Sequence, residues 1–212
     1  MATEMGLSSL IALLVAGVLP LRSGADTAPV LPIFDAHIHY NEDIWEAIPP
    51  REALDRLTRA GITRAVVSST PTEGVERLYR LSPERIVPFL RPYPTRAHRR
   101  MWFRDAQIPD WVRARLARMP YRGIGEFHVF SERAKTPVVR EIIRLARQRR
   151  LCLHAHTDLA GMEAILEQAP DIAVIWAHAG FDVPLLTLRG LLDGHPQLYL
   201  ELSFREGIIQ DG

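Results

Sequence analysis

Residues 33–39 read Ile33-Phe34-Asp35-Ala36-His37-Ile38-His39, a short apolar run ending in two histidines one residue apart. Side chains of a β-strand alternate between faces, so His37 and His39 point the same way, about 6–7 Å apart along the strand. Neutral imidazole is a good ligand for zinc and similar ions, and two on one face can share one ion. Taken alone, the pair reads equally well as two solvated histidines at a strand end. The rest of the chain decides between the two.

Apolar residues make up 47% of the 212 residues and charged residues 24%, enough for one sizeable core. A formal net charge of +1 gives no global attraction to nucleic acid or to an anionic membrane. The basic residues are arginines apart from Lys135. The single cysteine, Cys152, excludes an intramolecular disulfide, and its apolar neighbours Leu151 and Leu153 mark it as a core residue. Leu7 to Leu21 is a mostly apolar stretch followed by Ser23-Gly24-Ala25, which has the small-x-small form of a cleavage site. About 15 apolar residues are too few for a comfortable membrane span. The expectation is a signal peptide over residues 1–25, export to the periplasm or beyond, and no membrane span in the mature chain. Glu4 and the lack of an early Lys or Arg run against this reading.

From residue 31 onward, strand-like and helix-like segments alternate. The strand candidates are Ile33–Tyr40, Ile62–Ser69, Ile86–Tyr93, Gly123–Phe130, Leu151–His156, Ile172–His178 and Leu198–Ser203. Several are continuous apolar runs, as in strands buried on both faces of a parallel sheet. Helical periodicity marks Pro50–Ala60, Asp110–Met119, Pro137–Arg150, Leu159–Ala169 and Val183–Leu192, the last apolar almost all round. Pro49-Pro50 suits a helix start, Gly61 a helix end, and Asp158 an N-cap. Repeated strand–helix–strand units give an α/β fold with a parallel sheet, either doubly wound or a (β/α)8 barrel. No glycine-rich phosphate loop follows any strand. Polar residues gather at the C-terminal strand ends, where barrel active sites are built, and this favours the barrel.

Five strand ends carry the chemistry. They are His37-Ile38-His39, Gly123-Ile124-Gly125-Glu126-Phe127-His128, His154-Ala155-His156-Thr157, Ala177-His178-Ala179-Gly180 and Glu201-Leu202-Ser203. One such histidine is more often structural; several in register point to a metal that polarises a carbonyl and activates water. This joint pattern resembles the amidohydrolase superfamily, and within it the amidohydrolase-related metal-dependent hydrolases, from about Ile33 to the C-terminus.

The resemblance implies a TIM-type barrel and one or two divalent ions, zinc first. It implies His37, His39 and His156 as metal ligands, His156 rather than His154 because the strand-five ligand precedes a small residue or Thr. Glu126 matches a glutamate ligand of TatD-like relatives. His178 would be catalytic, as a ligand or as the group orienting the attacking water. The implied reaction is attack of metal-activated water on a small carbonyl, ester or amide substrate. The same metal site would also serve a non-oxidative decarboxylase, and a TatD-like nuclease is a third enzyme reading. The resemblance further implies an aspartate at the end of an eighth strand. Seven strands are counted before Gly212, and about 187 residues after the expected cleavage fall short of the roughly 250 of a complete barrel. The expectation is a C-terminally truncated barrel over residues 31–212, inactive or nearly so in this form. A non-catalytic barrel fragment is the competing class.

Arg91, at the end of strand three, and Arg205, after strand seven, are candidates for a substrate carboxylate or phosphate. A structural ion pair is the alternative for each. His128 and His154 are further substrate-binding candidates by the period of two. Nine arginines between Arg91 and Arg122, interleaved with aromatics, read as a rim over the barrel mouth. A small-molecule partner is expected, and no nucleic acid.

Overall fold

The computed structural model describes residues 31–205; the expected signal segment lies outside them. Seven parallel strands form one sheet: β1 (Ile33–His39), β2 (Ile62–Ser68), β3 (Ile86–Leu90), β4 (Gly123–His128), β5 (Cys152–His156), β6 (Val174–Trp176) and β7 (Leu198–Leu200). Between them run α1 (Pro50–Arg59), α2 (Glu73–Leu81), α3 (Ile108–Leu116), α4 (Pro137–Gln148), α5 (Leu159–Gln168) and α6 (Leu185–Gly194). Strand order is β1-β2-β3-β4-β5-β6-β7, each strand pairing with the next in sequence. A doubly wound sheet reverses its order at a switch point; this sheet never reverses. It is the wall of a TIM-type barrel, incomplete among the described residues, where β1 and β7 each pair with one neighbour.

The helices follow from local chemistry. Pro50, Pro109 and Pro137 occupy first-turn positions, where a missing N–H costs nothing. The Thr136 hydroxyl accepts from Val139 N, and the Asp158 carboxylate accepts from Gly161 N at 2.9 Å, capping α4 and α5. Asp158 also accepts from Ser131 N at 2.8 Å, tying the turn after β4 to the start of α5. α4 buries Val139, Ile142, Ile143 and Ala146, and α5 buries Met162 and Ile165, against Ile124 and Leu153 of the sheet. Cys152 is half-buried at the start of β5 rather than in the core, and burial still pushes its thiol up to about 12.

Four expectations are corrected. Helix α2 was not among the sequence candidates, although Val75, Leu78 and Tyr79 have helical spacing. Gly74 in its first turn obscured it, and a side chain there would lie 2.3 Å from the Tyr40 carbonyl oxygen. β3 stops at Leu90 rather than Tyr93, since Pro92 and Pro94 have no N–H to donate. β6 stops at Trp176 because His178, Ala179 and Gly180 are left-handed, with φ of 56°, 45° and 70°. α6 buries only Leu188; Leu185, Leu186 and Leu192 are exposed. Apolar exposure continues at Tyr199, Leu202 and Phe204 beside β7 and at Ile33 and Phe34 on β1. Among the described residues no helix is long and apolar enough to cross a membrane.

Candidate metal centre

The C-terminal ends of β1, β4, β5, β6 and β7 bring one cluster together. His37 and His39 leave β1 on the same face, with Nε2 atoms 3.0 Å apart. Glu126 rises from β4 and is buried. Its Oε2 is 3.0 Å from His39 Nε2, and its Oε1 is 3.7 Å from His37 Nε2. Gly125 makes this placement possible: its φ is 139°, and an added Cβ would stand 2.2 Å from the His154 carbonyl oxygen. His156, from β5, meets Glu126 Oε1 through Nδ1 at 2.7 Å, and His128 stacks on it at 4.3 Å between ring centroids. His178 reaches the same carboxylate from the turn after β6, with Nε2 at 3.7 Å from Oε1.

The outward nitrogens of the two β1 histidines are engaged. His37 Nδ1 is 2.7 Å from Glu201 Oε2, and a carboxylate can only accept, so that nitrogen carries the proton. His39 Nδ1 is 2.9 Å from Ser68 Oγ. Ligating histidines are commonly fixed in this way through the ring nitrogen that faces away from the ion. Glu201 is the residue that sequence reading left without a role. It follows β7 and also accepts from His178 N at 3.2 Å. The available signal was a carboxylate at a seventh strand end in register with the histidines.

Electrostatics follow from this crowding. Burial alone would raise the Glu126 carboxyl, but contacts from His156, His178, His37 and His39 outweigh it and hold the group far below the usual range. Burial opposes charge on His37, yet Glu126 and Glu201 lift its pKa to about 9. Burial, aided by Arg91, lowers His39. Burial pushes His128 down to about 3, leaving it neutral. Glu201 lies at about 2: burial raises it, and its contacts with His37 and Ser203 more than reverse that.

The donor set fits a divalent cation. Two ligands each about 2.0–2.1 Å from a tetrahedral ion stand about 3.3 Å apart. His37 Nε2 lies 3.0 Å from His39 Nε2 and 3.7 Å from Glu126 Oε1, and His39 Nε2 lies 3.0 Å from the other carboxylate oxygen, Oε2. Glu126 with His128 and His156 forms a second group of potential ligands, and His37 with His178 and Glu201 a third. Glu126 is thus shared between two groups, an arrangement open to one ion or two.

The remaining sequence candidates separate. Arg91 is buried beside the cluster, with Nη2 at 2.8 Å from Glu126 Oε2 and 2.9 Å from His39 Nε2. Arg91 and His128 line the cavity over the cluster; His154 and Arg205 do not. His154 is buried against His37, ring centroids 4.4 Å apart, and its Nε2 has no hydrogen-bond partner. Its expected place on the substrate side is corrected: its ring is fully covered, with His37 packed edge-on against it. Arg205 is corrected likewise. Its guanidinium donates to the Ala179 carbonyl at 2.7 Å and to the Val183 carbonyl, bracing the left-handed turn that carries His178.

No protein-family model matches the chain, and no curated protein sequence matches it. Two solved structures share the fold. An uncharacterized TIM-barrel protein from Bordetella bronchiseptica superposes with a TM-score of 0.55 at 12% identity, over 76% of this chain and 62% of its own. A probable 2-pyrone-4,6-dicarboxylic acid hydrolase from Acinetobacter baumannii, solved with citric acid, superposes with a TM-score of 0.52 at 13% identity, over 82% of this chain and 70% of its own. This chain therefore spans roughly two thirds of the length of these barrels, and the likeness at such identities is one of fold.

Proposed function

We propose that this chain is a metal-dependent hydrolase of the amidohydrolase type, acting on a small carbonyl, ester or amide substrate. The observation that carries the reading is the convergence of His37 Nε2, His39 Nε2 and the Glu126 carboxylate, with the outward Nδ1 atoms engaged by Glu201 and Ser68. With its outward nitrogen protonated toward Glu201, His37 turns Nε2 toward His39 Nε2 at 3.0 Å, and a cation that displaces the second His37 proton can be shared by the two rings. His37, His39 and Glu126 would hold the ion; His156 and His128 would serve a second one. When bound there, a divalent ion such as zinc supplies Lewis acidity towards a carbonyl oxygen and towards water.

The proton chemistry belongs to His178. Its Nδ1 is 2.7 Å from the Ser203 carbonyl oxygen, which can only accept, so Nδ1 keeps its proton and Nε2 is the working nitrogen. Nε2 faces the Glu126 side of the cavity. As water oxygen bonds to the carbonyl carbon, Nε2 takes the water proton and returns it to the leaving oxygen or nitrogen. Tyr93 donates to the Glu126 backbone carbonyl at 3.1 Å, and its hydroxyl, pushed up to about 12 by burial, stays protonated.

The test is metal content and turnover together. Purified protein should retain about one equivalent of zinc or more per chain, lost in His37→Ala. Whatever hydrolysis of a panel of lactones, esters and amides the protein shows should follow metal content. Substoichiometric metal that His37→Ala leaves unchanged would refute the reading and favour a non-catalytic barrel. Carbon dioxide release without hydrolysis would reassign the site to decarboxylation.

A further inference from the structure

The cavity over the cluster encloses about 480 Å³, within the range of small-molecule sites. Its histidines are used by the hydrolytic reading; another part of the wall is not. That part is the 3-10 turn Arg96–Arg100, which follows β3 and contributes Arg96, Arg99 and Arg100 to the lining. Charge bookkeeping on this wall does not close. Arg96 donates to Asp43 at 2.8 Å, whereas Arg99 and Arg100 meet no carboxylate among the described residues. Arginines without a carboxylate occur elsewhere on the described surface, Arg64 and Arg104 among them; what distinguishes Arg99 and Arg100 is that both line the cavity over the cluster. Glu126 is the one acidic residue of the cavity lining, and Arg91 and the histidines already surround it. Arg91 Nε is buried without a hydrogen-bond partner. Arg99 is close enough to His128 and Tyr93 for its charge to act on both. Two arginines on one cavity wall, with no carboxylate partner among the described residues, raise the local concentration of anions, and a guanidinium can clamp an oxyanion bidentately.

We propose that Arg99 and Arg100 form an anion subsite, so that the substrate is a small acid whose carboxylate or phosphate group sits on this arginine wall of the cavity, apart from the reacting carbonyl. The word substrate rests on the hydrolase reading; the subsite itself stands on the arginines. The experiment is calorimetric titration of the zinc-loaded and the metal-free protein with glutarate, its neutral diamide and inorganic phosphate, repeated on the Arg99→Gln/Arg100→Gln double variant. Glutarate should bind at least about tenfold more tightly than the diamide, and the double variant should lose about tenfold while keeping its zinc content. Binding should weaken with added salt. Phosphate binding more tightly than glutarate would assign the subsite to phosphate esters instead of carboxylates. Equal affinity for diacid and diamide, no anion binding by the parent protein, an unchanged double variant, or tighter binding of a single-stranded oligonucleotide than of either small anion would overturn the proposal. A protein that retains no zinc sinks the hydrolase reading alone, since the metal-free titration still reads the subsite.

Discussion

Replacing Glu201 by Gln removes the charge that fixes His37. In the structure Glu201 Oε2 accepts from His37 Nδ1 at 2.7 Å and from His178 N at 3.2 Å. A glutamine is nearly isosteric, so the packing around β7 survives. Its amide is neutral, and when its NH2 faces His37 the imidazole must present a lone pair there and move its proton to Nε2, the nitrogen aimed at the ion. Loss of such an outer partner typically weakens metal binding 10–100-fold, which is about 1.4–2.8 kcal/mol. Zinc affinity measured by competition with a chromophoric chelator should therefore fall by that factor in Glu201→Gln. Imidazole nitrogen shifts of His37 should report weaker protonation in the metal-free protein, since the Glu201 charge is one of the groups that raise its pKa, and far-UV circular dichroism should stay unchanged. Glu201→Asp, which keeps the charge, should restore part of the affinity. A folded Glu201→Gln protein with unaltered zinc affinity and unaltered His37 shifts would refute the reasoning.

Stability of the metal-free protein should depend on pH through His37. Its folded pKa of about 9 exceeds the ordinary imidazole value of about 6.5. The resulting stabilisation is complete below about 6.5 and disappears as pH rises through about 9, at most roughly 3 kcal/mol; urea melts that are flat across this window would contradict it. Asp158→Ala should destabilise the fold by about 1–3 kcal/mol, since it removes an N-cap and a charged acceptor for Ser131. The Asp158 carboxyl is lowered, its hydrogen bonds with Ser131 and Gly161 outweighing burial. Its contribution should hold above about pH 3.9 and fade as pH falls below that, and a thermal melt of the variant equal to the parent would dismiss the cap. Gly125→Ala should lower stability by more than about 2 kcal/mol, because alanine meets both a disfavoured φ and the His154 carbonyl; a soluble variant with an unchanged denaturation midpoint would dispose of that argument.

Local rules made much of this molecule legible in advance. A period of two puts His37 and His39 on one face whatever the strand packs against. Continuous apolar runs such as Ala65-Val66-Val67 or Ala173-Val174-Ile175-Trp176 announce strands covered on both sides, and proline and aspartate mark where α1, α4 and α5 begin. α2 is hidden in the sequence because Pro71 and Gly74 resemble a turn until the Tyr40 carbonyl is seen packed against Gly74. What the chain order alone left open was which strand ends face one another. Glu201 lies 164 residues from His37, and only the curl of the sheet brings its carboxylate to that imidazole. The same geometry turns His154 into the packing beneath His37 and aims Arg205 at backbone carbonyls. It also folds the turn Arg96–Arg100 over the site as a wall of positive charge. Sequence determines the pattern within each strand and helix because those forces act over a few residues. The tertiary structure decides roles, because charge, burial and hydrogen-bond partners depend on neighbours that the linear order does not place.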